Sequence, residues 1–547
     1  MSVRARGIAG LAVLLAAHTV HAGSQITARH AALSTASPYA TQIGLSVLKN
    51  GGNAIDAAVA ISFALAVAQP QAGNLGGGGF LVYYDAKSKA VWTLDYREVA
   101  PLAATRNMFA KDANAAQVGA LAAGAPGALA GLGEMHRKFG SRPWSELVAP
   151  AARLAREGVR VDGDLAAALL AARSGRNIDR FASTAAIFYP DGKPLAAGAT
   201  LLQADLAATL TRLALKGARD FYDGDSGNRF VDAVKAAGGI VSYRDLREYK
   251  AVWRAPIRVA FRNYQLYTMA PPSAGGLVIG EALNILDGFD LEKGGFQSPK
   301  SLHLIAEAER RAFIDRTHYL GDPATVRIPY RELLSDERAK QWRASIKVDR
   351  ATPTTTLAEP GTTIPESNHT THFSVVDASG NIAAVTTSLG DDFGSGVLLP
   401  GVGFFLNAAM ADFSTAAGSA NLIEPQKRPA TSMAPAIVFH DEKPLFAFGT
   451  PGGATIPTTL LGVFLNVAVW HKSLYDAIAA PRFHQQDAPD DLAYEQGTPQ
   501  PLIDALSAMG HGVAARPPMG DVHAVLIEGG KLTAIADARH GGAAGGY

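Results

Sequence analysis

The 547-residue chain contains no cysteine. Disulfide bonds, thiol nucleophiles and cysteine-ligated metals are therefore excluded, whatever compartment the protein occupies. A charge excess is missing as well: 50 Lys and Arg residues stand against 49 Asp and Glu residues, for a net charge of +1. This balance gives no electrostatic reason to expect a nucleic acid or an anionic membrane as a partner. Beyond the N-terminus, no apolar run approaches the ~20 residues of a membrane-spanning helix.

The first residues follow the pattern of a signal peptide. Arg4 and Arg6 precede a short apolar run, and the triplet "VHA", which ends at Ala22, has the small-x-small form of a cleavage site. We therefore expect residues 1–22 to be a cleavable signal peptide. The mature protein should be exported, either to a periplasm or to the medium.

The rest of the chain predicts a large α/β protein. Its length and 48 % apolar content are ample for an extensive core. The stretch "GGNAIDAAVAISFALAVAQP" predicts a buried helix that begins near Asn53 and ends before Pro70. The other patterns predict a glycine turn and a β-hairpin over 73–101, mainly helices over 140–240, strands in "APIRVAFRNYQLYTM", an amphipathic helix in "SLHLIAEAERRAFIDRTHY", and strands in "GVGFFLN", "MAPAIVFHDEKPLFAFG" and "AVLIEGGKLTAIAD".

An abrupt change of composition ends at Thr370. Residues 351–369 are rich in Thr, Pro, Gly and Ser, which is the composition of a linker with little apolar surface to bury. The following stretch, "THFSVVDASGNIAAVTTSLG", predicts two strands joined by a turn at Ser379, Gly380 and Asn381. A flexible segment therefore leads directly into a sheet.

Three motifs in the sequence have simple interpretations. His369 and His372 have a spacing seen in zinc sites, but on a strand residues three apart point to opposite faces, so no metal site is predicted. "GNLGGGGF" lacks the Lys-Ser/Thr of a phosphate loop, and its glycines are better explained by close backbone packing. No G-x-S-x-G elbow of a serine hydrolase occurs.

The threonine at the boundary offers another chemistry. A threonine hydroxyl is a poor nucleophile unless a base lies beside it, and one solution is to make the threonine the first residue of a chain. Its own α-amino group, with a pKa near ~8, can then accept the proton. The segment before Thr370 is where a chain could be cut to expose such an amine. An ordinary strand start remains the alternative at this point.

A series of motifs runs in order along the chain: "GGNAIDAAVA", "GNLGGGGF", "DYREVAP", "GAPGALAGL", "APPSAGG", "YLGDP", "TTHFSVVD", "KRPATSMAPAIV", "TPGG" and the terminal "GGY". Together they resemble the γ-glutamyltranspeptidases, N-terminal-nucleophile hydrolases that mature by self-cleavage. The resemblance covers nearly all of the chain after the signal peptide. It implies the four-layer αββα sandwich of that superfamily, with a large segment (23–369) and a small segment (370–547) that fold together before cleavage.

The resemblance also implies a catalytic set. Thr370 would be the nucleophile, released by cleavage of the His369–Thr370 bond, and Ser388 would supply the hydroxyl that the family places beside it. Gly452 and Gly453 match the glycine pair of the oxyanion hole. Backbone N–H groups aimed at a developing oxyanion can contribute roughly 3–4 kcal/mol each.

A second implied set binds the substrate. Arg97 matches the arginine that grips the glutamyl α-carboxylate, where a planar guanidinium can form a bidentate pair. Thr431 and Ser432 match two hydroxyl positions beside it, and Asp412 matches the aspartate that binds the α-ammonium. The expected reaction is hydrolysis or transfer of a γ-glutamyl amide such as glutathione, with water or an amino acid or peptide as acceptor. The resemblance implies no cofactor and no metal.

Two positions depart from the family pattern. Gly390 stands where an asparagine is usual, and Ala409 stands where a polar residue is usual. Both belong to the cluster that holds the substrate's α-amino group, and a hydrogen bond to a charged group is worth roughly 1.5–3 kcal/mol. We expect weaker ammonium recognition, by about two to four decades, unless Asp391, Asp392 or water substitutes.

The segment after Asp412 also predicts an open site. Its 18 residues (413–430) are fewer than in members with a lid loop over the pocket. An open pocket admits bulky substrates and water, which favours hydrolysis over transfer. Two alternatives stay open: an amidohydrolase of the same family that acts on glutaryl side chains, as the related cephalosporin acylases do, and an uncleaved, non-catalytic binding protein.

Overall fold

The computed structural model describes residues 24–358 and 369–547, so the predicted signal peptide lies outside the described residues. The strands are β1 (Gln25–Ala28), β2 (Ala32–Thr35), β3 (Gly78–Asp85), β4 (Ala90–Asp95), β5 (Val159–Arg160), β6 (Thr200–Leu201), β7 (Val252–Arg254), β8 (Ile257–Phe261), β9 (Tyr264–Thr268), β10 (Thr370–Val376), β11 (Ile382–Ser388), β12 (Ala436–His440), β13 (Lys443–Gly449), β14 (Phe483–His484), β15 (Asp491–Glu495), β16 (Gly512–Arg516), β17 (His523–Glu528), β18 (Lys531–Ala536) and β19 (Ala543–Gly546).

The helices are α1 (Pro38–Lys49), α2 (Ala54–Ala68), α3 (Ala128–Phe139), α4 (Trp144–Glu157), α5 (Gly163–Arg176), α6 (Ala182–Phe188), α7 (Ala204–Lys216), α8 (Arg219–Asp223), α9 (Asp225–Ala236), α10 (Tyr243–Glu248), α11 (Gly275–Leu286), α12 (Leu291–Gly294), α13 (Pro299–Tyr319), α14 (Tyr330–Leu333), α15 (Asp336–Ala344), α16 (Thr455–Ala468), α17 (Leu474–Ala479) and α18 (Gln500–Ala508). In the part of the chain that the structure describes, none of these helices combines the length and the apolar character needed to cross a membrane.

Two seven-stranded antiparallel sheets form the centre of the fold. The first sheet has the strand order β1-β18-β17-β13-β12-β9-β8, and the second has the order β19-β2-β10-β11-β3-β4-β7. The two sheets face each other, since β10 and β11 of the second sheet contact β13 and β17 of the first. Helices α11 and α16 cover the first sheet, and α1, α2 and α3 cover the second. This is the predicted four-layer αββα sandwich.

Both sheets contain strands from the two sides of Thr370. In the first sheet, β1, β8 and β9 come before this residue, whereas β12, β13, β17 and β18 come after it. In the second sheet, β10, β11 and β19 pair with strands from the earlier part of the chain. Neither segment therefore completes a sheet by itself.

The helix predicted from residues 51–70 is confirmed. Asn53 forms a capping box with Asp56, in which each side chain accepts a hydrogen bond from the other residue's backbone N–H. Helix α2 is buried along its whole length because it lies between the second sheet and neighbouring helices. The N–H of Ala54, at its first turn, donates to the Asp377 carboxylate at 2.9 Å. This bond anchors the helix to the end of β10.

The glycine run before β3 packs closely, as predicted. A Cβ atom on Gly77 would lie 2.1 Å from the carbonyl oxygen of Ser388. No side chain fits at this distance, so glycine allows β3 to approach the end of β11. The next residue, Gly78, then pairs with Ser388 in the sheet register.

Helix α13 corrects one prediction, because it is buried on all sides rather than amphipathic. Its buried charged side chains have partners. Glu307 accepts hydrogen bonds from Arg311, four residues later, and from the backbone N–H of Thr352. Arg310 donates to Asp490 at 2.8 Å. Thr352 and Asp490 lie far from α13 in the sequence, so the polar residues of the helix had the same local pattern as a solvent-exposed face.

Two further predictions change. "GVGFFLN" is not a strand: only Phe405 forms an isolated bridge, because Gly401 and Gly403 adopt φ values of 71° and 84° that break an extended run. The predicted linker is not loose throughout. Thr352 and Thr354 are buried and donate backbone hydrogen bonds to carboxylates, so residues 351–358 are anchored. The remainder of that prediction, 359–368, lies outside the described residues.

Candidate active site

Thr370 and Ser388 form the end of a strand pair. Thr370 is the first residue of β10, Ser388 is the last residue of β11, and the two are directly opposite in the antiparallel register. Their hydroxyl oxygens are 3.4 Å apart, and both side chains are buried. The turn at residues 379–381 fixes this register, since β10 and β11 pair without a shift from Val376 to Thr370.

Ser388 also contacts the peptide bond before Thr370. Its hydroxyl donates to the carbonyl oxygen of His369 at 3.0 Å and accepts from the Gly390 N–H at 3.0 Å. A donor on a carbonyl oxygen polarises the carbonyl carbon toward attack. The Thr370 hydroxyl therefore lies beside a peptide carbonyl that is already polarised.

A glycine loop approaches the same point from the first sheet. Gly452 and Gly453 lie between the end of β13 and the start of α16, with φ values of 136° and 55° that favour glycine. Within the described residues, neither backbone N–H donates a hydrogen bond. Gly453 lines the pocket that contains Thr370. Two adjacent N–H groups without partners are suited to hold an oxyanion.

Arg97 lies between two carboxylates. Its guanidinium donates one N–H to Glu98 at 2.8 Å and another to Asp412, and all three side chains are buried. Burial raises the pKa of Glu98, although the charge of Arg97 and hydrogen bonds oppose that rise. The Arg97 carbonyl accepts a hydrogen bond from the Tyr249 hydroxyl at 2.7 Å, which fixes the backbone at this point.

Two hydroxyl side chains complete the lining of the pocket that contains Thr370. Thr431 and Ser432 lie in the segment before β12, which the bridge between Ser273 and Thr431 holds in place. The Ser432 hydroxyl is buried and has no hydrogen-bond partner within the described residues. One small pocket brings these groups together, and it is lined by Arg97, Thr370, Ser388, Gly390, Asp412, Thr431, Ser432, Met433, Gly453 and Ile456.

The predicted site residues therefore converge, and seven of the eight line this pocket; Gly452, which directly precedes Gly453, is not among the lining residues. Three neighbours were not predicted from the sequence. Met433 and Ile456 supply apolar wall, and Glu98 holds the rear of the Arg97 guanidinium. Glu98 and Met433 directly follow the predicted residues Arg97 and Ser432 in the chain, and this adjacency was the available signal for them.

The positions of the two departures are also clear. Gly390 lies in the pocket wall with a φ of 92°, and a Cβ atom there would lie 3.0 Å from the Ala408 backbone. Ala409 is buried and contributes no polar side-chain atom. In this pocket, Asp412 is the acidic side chain among the lining residues and Arg97 is the basic one.

His372 has a structural environment rather than a catalytic one. Its ring accepts from or donates to Thr386 Oγ1 at 2.8 Å and Ser374 Oγ at 3.0 Å, in the space between the two sheets. Burial, with the nearby charge of His523, lowers the pKa of His372 well below its usual value, so the imidazole is neutral. Among the described residues, no group of three or more His, Cys, Asp or Glu side chains is placed to hold a metal.

Comparison with known proteins places this geometry in context. A family model described as "Gamma-glutamyltranspeptidase" matches residues 40–547. The chain is 40 % identical over 531 residues to the glutathione hydrolase proenzyme of Escherichia coli (strain K12), covering 94 % of this chain and 91 % of that protein.

Acylases appear among the similar proteins as well. The acylase ACY 1 proenzyme of Pseudomonas sp. (strain SE83) is 36 % identical over 512 residues, covering 91 % of this chain and 90 % of that protein. The crystal structure of a cephalosporin acylase from Bacillus halodurans superposes with a TM-score of 0.88 at 27 % identity, covering 96 % of this chain and 97 % of that chain.

Proposed function

The chain belongs to the γ-glutamyltranspeptidase family, and from this premise we propose that it is a self-processing enzyme that hydrolyses or transfers γ-glutamyl amides such as glutathione. Relatives named as proenzymes support maturation of a precursor into two subunits. The substrate is a small molecule, and the site lies at the start of β10, beside the glycine loop that follows β13 of the first sheet. Glutathione is proposed as a substrate because the similar Escherichia coli protein is named a glutathione hydrolase proenzyme.

Self-processing uses the contacts at the His369–Thr370 peptide bond. The Thr370 hydroxyl attacks the His369 carbonyl carbon, while Ser388 donates to the oxygen that gains charge. The C–N bond breaks, the hydroxyl proton passes to the departing amine, and an ester joins His369 to the Thr370 side chain. Water then hydrolyses the ester, which leaves a carboxyl group on His369 and a free α-amine on Thr370.

The mature site repeats the same chemistry on a substrate. The Thr370 hydroxyl attacks the γ-carbonyl, and its own α-amine accepts the proton. The N–H groups of Gly452 and Gly453 stabilise the oxyanion, and Ser388 supports the nucleophile. The leaving amine takes the proton, and water or an acceptor amine resolves the acyl-enzyme. We favour water because the short segment 413–430 leaves the site open.

The observation that carries the substrate assignment is the buried Arg97–Asp412 pair. A γ-glutamyl group presents an α-carboxylate and an α-ammonium on one carbon. Its binding can therefore replace the Arg97–Asp412 ion pair with two ion pairs to the substrate. Arg97 then binds the carboxylate, with Thr431 and Ser432 as further donors, and Asp412 binds the ammonium. A glutaryl group has no ammonium, and it would leave the Asp412 carboxylate buried without a cation, which is costly.

The second candidate is a glutaryl amidohydrolase. Gly390 and Ala409 provide no polar side chain for an ammonium, and similarity to acylases agrees with a relaxed preference. Turnover of γ-glutamyl-p-nitroanilide and of glutaryl-p-nitroanilide separates the two. We expect the γ-glutamyl compound to have the higher kcat/KM. Equal values for both compounds would reject γ-glutamyl specificity.

Self-processing has its own test. Intact mass spectrometry of the expressed protein should show two chains, with Thr370 as the first residue of the smaller one, and Thr370→Ala should remain a single chain. A single wild-type chain would favour the non-catalytic binding protein. We also propose export to a periplasm or to the medium, which the pattern of residues 1–22 supports; N-terminal sequencing of secreted protein tests it.

A further inference from the structure

The side chain of His369 is held by two aspartates in the loop that follows β11. His369 Nδ1 lies 2.9 Å from Asp392 Oδ1, and Nε2 lies 3.7 Å from Asp391 Oδ1. This residue comes immediately before the bond that self-processing cuts. Nothing in the catalytic set described above uses its imidazole.

The loop that holds His369 is itself braced. Arg176, at the end of α5, lies 3.3 Å from the Asp391 carboxylate and donates to the carbonyl oxygens of Asp392 and Gly394. The guanidinium therefore fixes the backbone of the loop as well as one of its carboxylates. Because the loop is held in place, its two carboxylates bind the His369 imidazole in one defined position.

The same loop also fixes the hydroxyl that contacts the scissile carbonyl. The Gly390 N–H donates to Ser388 Oγ at 3.0 Å, and the Ser388 hydroxyl donates to the His369 carbonyl oxygen at 3.0 Å. Residues 390–392 thus contact both the Ser388 hydroxyl and the His369 side chain. The imidazole fixes the side chain of His369, and Ser388 fixes its carbonyl oxygen.

We propose that His369 is a positioning residue for self-cleavage, whose imidazolium binds Asp392 and Asp391 and so holds the His369 carbonyl against Ser388 and within reach of the Thr370 hydroxyl. This inference rests on the self-processing part of the proposed function. The imidazole takes no part in the bonds that form and break. The Thr370 oxygen attacks, the amide nitrogen leaves with the proton, and water completes the hydrolysis.

Charges around the imidazole make the effect depend on pH. Burial opposes the charged form, but the hydrogen bond to Asp392 and the charges of Asp392 and Asp391 outweigh it, so the pKa of His369 is raised. Arg176 acts in the opposite direction. The positioning should be complete at low pH and should weaken as the pH rises through the raised pKa. Because the His369 side chain is 43 % exposed, solvent screening limits the effect.

The test follows self-cleavage of the full chain after a pulse of cell-free synthesis, by the fraction of intact precursor against time. His369→Ala should cleave about tenfold more slowly than the wild type, because a charged hydrogen bond is lost. His369→Arg keeps a cation near the aspartates and should cleave within about threefold of the wild type. His471→Ala removes an exposed histidine in the segment between α16 and α17 and serves as the matched control.

The pH profile provides the readout that a purely structural role would not change. The ratio of the wild-type rate to the His369→Arg rate should fall as the pH rises from 6 to 9, since only the histidine loses its charge. Equal cleavage rates for His369→Ala and the wild type, or a ratio that does not vary with pH, would overturn the inference.

Failure of this inference is distinguishable from failure of the proposed function. If the wild-type chain is never cut, self-processing itself fails. If the wild type is cut and the His369 variants are cut equally fast, only the positioning role fails. Once fully cleaved, His369→Ala should turn over γ-glutamyl-p-nitroanilide with the wild-type kcat, because the imidazole acts before maturation. A thermal unfolding midpoint equal to that of His471→Ala shows that slow cleavage is not misfolding.

Discussion

Thr370 and Ser388 are the last pair of one antiparallel ladder, and their hydroxyl oxygens lie 3.4 Å apart at the ends of two inner strands of the second sheet. The ladder fixes both residues through their backbones, so neither hydroxyl depends on a flexible loop for its position. The proposed nucleophile and the hydroxyl proposed to support it are therefore aligned in the uncut chain.

Removal of the Ser388 hydroxyl should slow self-cleavage. Ser388→Ala deletes the donor to the His369 carbonyl, and loss of one oxyanion donor typically costs about 100-fold in rate or more. Ser388→Thr keeps a hydroxyl and should retain most of the activity. Intact mass against time measures the cleavage, and Ser379→Ala, in the turn between the same two strands, is the matched control. Wild-type cleavage by Ser388→Ala would contradict the assignment.

Neutralising Asp412 should change substrate preference. Asp412→Asn removes the carboxylate proposed to bind the α-ammonium, so kcat/KM for γ-glutamyl-p-nitroanilide should fall about 100-fold or more. The value for glutaryl-p-nitroanilide should fall less or rise, since that compound carries no ammonium. Asp441→Asn, on the exposed turn after β12, provides the control. A parallel fall for both substrates would indicate a general defect around Arg97 instead.

Gly77 should not tolerate a side chain. A Cβ atom would lie 2.1 Å from a backbone oxygen, so Gly77→Ala must displace β3 or β11 and should cost about 1–3 kcal/mol of unfolding free energy. Gly462→Ala, inside α16, where the added Cβ would meet no atom within 4 Å beyond its own stretch of helix, should instead stabilise the protein slightly. Chemical denaturation of both variants in the Thr370→Ala background, which should remain one chain, checks the opposite signs.

Acid should destabilise the fold through buried neutral histidines. Burial lowers the pKa of His484 to about 4, although its hydrogen bond to Gln486 acts against that shift. Between about pH 6.5 and pH 4 the unfolded chain binds this proton and the folded chain does not, so stability falls as the pH falls, by up to about 3 kcal/mol for this group.

His484→Gln should reduce the dependence of the unfolding free energy on pH between about pH 4 and pH 6.5. The amide can keep a hydrogen bond to Thr458 Oγ1, which lies 2.9 Å from His484 Nδ1, without binding a proton. Urea unfolding at several pH values, in the Thr370→Ala background with and without His484→Gln, measures the difference in unfolding free energy. An unchanged dependence between pH 4 and pH 6.5 would show that His484 is not one of the groups responsible.

Local signals predicted the parts of the fold that local physics decides. The Asn53 cap and Pro70 bound helix α2, and the turn near Gly380 gave the β10–β11 pair in its correct place. Helix α13 was harder, since its charged residues are buried only because Thr352, Gln485 and Asp490 arrive from elsewhere in the chain. Spacing along the sequence cannot reveal such partners.

The site shows the same division. Seven of the eight residues predicted from the motif resemblance line one pocket, although they come from separate stretches of the chain. The carboxylate contacts of Arg97 and the aspartates around His369 were not predicted. Both depend on the conformation of short loops, in which no periodic pattern indicates where a side chain points.

Because both sheets combine strands from before and after Thr370, folding before cleavage differs from refolding after it. Before the cut, all strands belong to one chain, and folding is an event within a single molecule. After the cut, the same sheets would have to assemble from two separate chains, neither of which has a complete core. Denaturation then becomes a one-way step, because reassembly depends on concentration and competes with aggregation. The mature protein would thus preserve a structure that only its precursor could build, and its lifetime would be set by how slowly it unfolds.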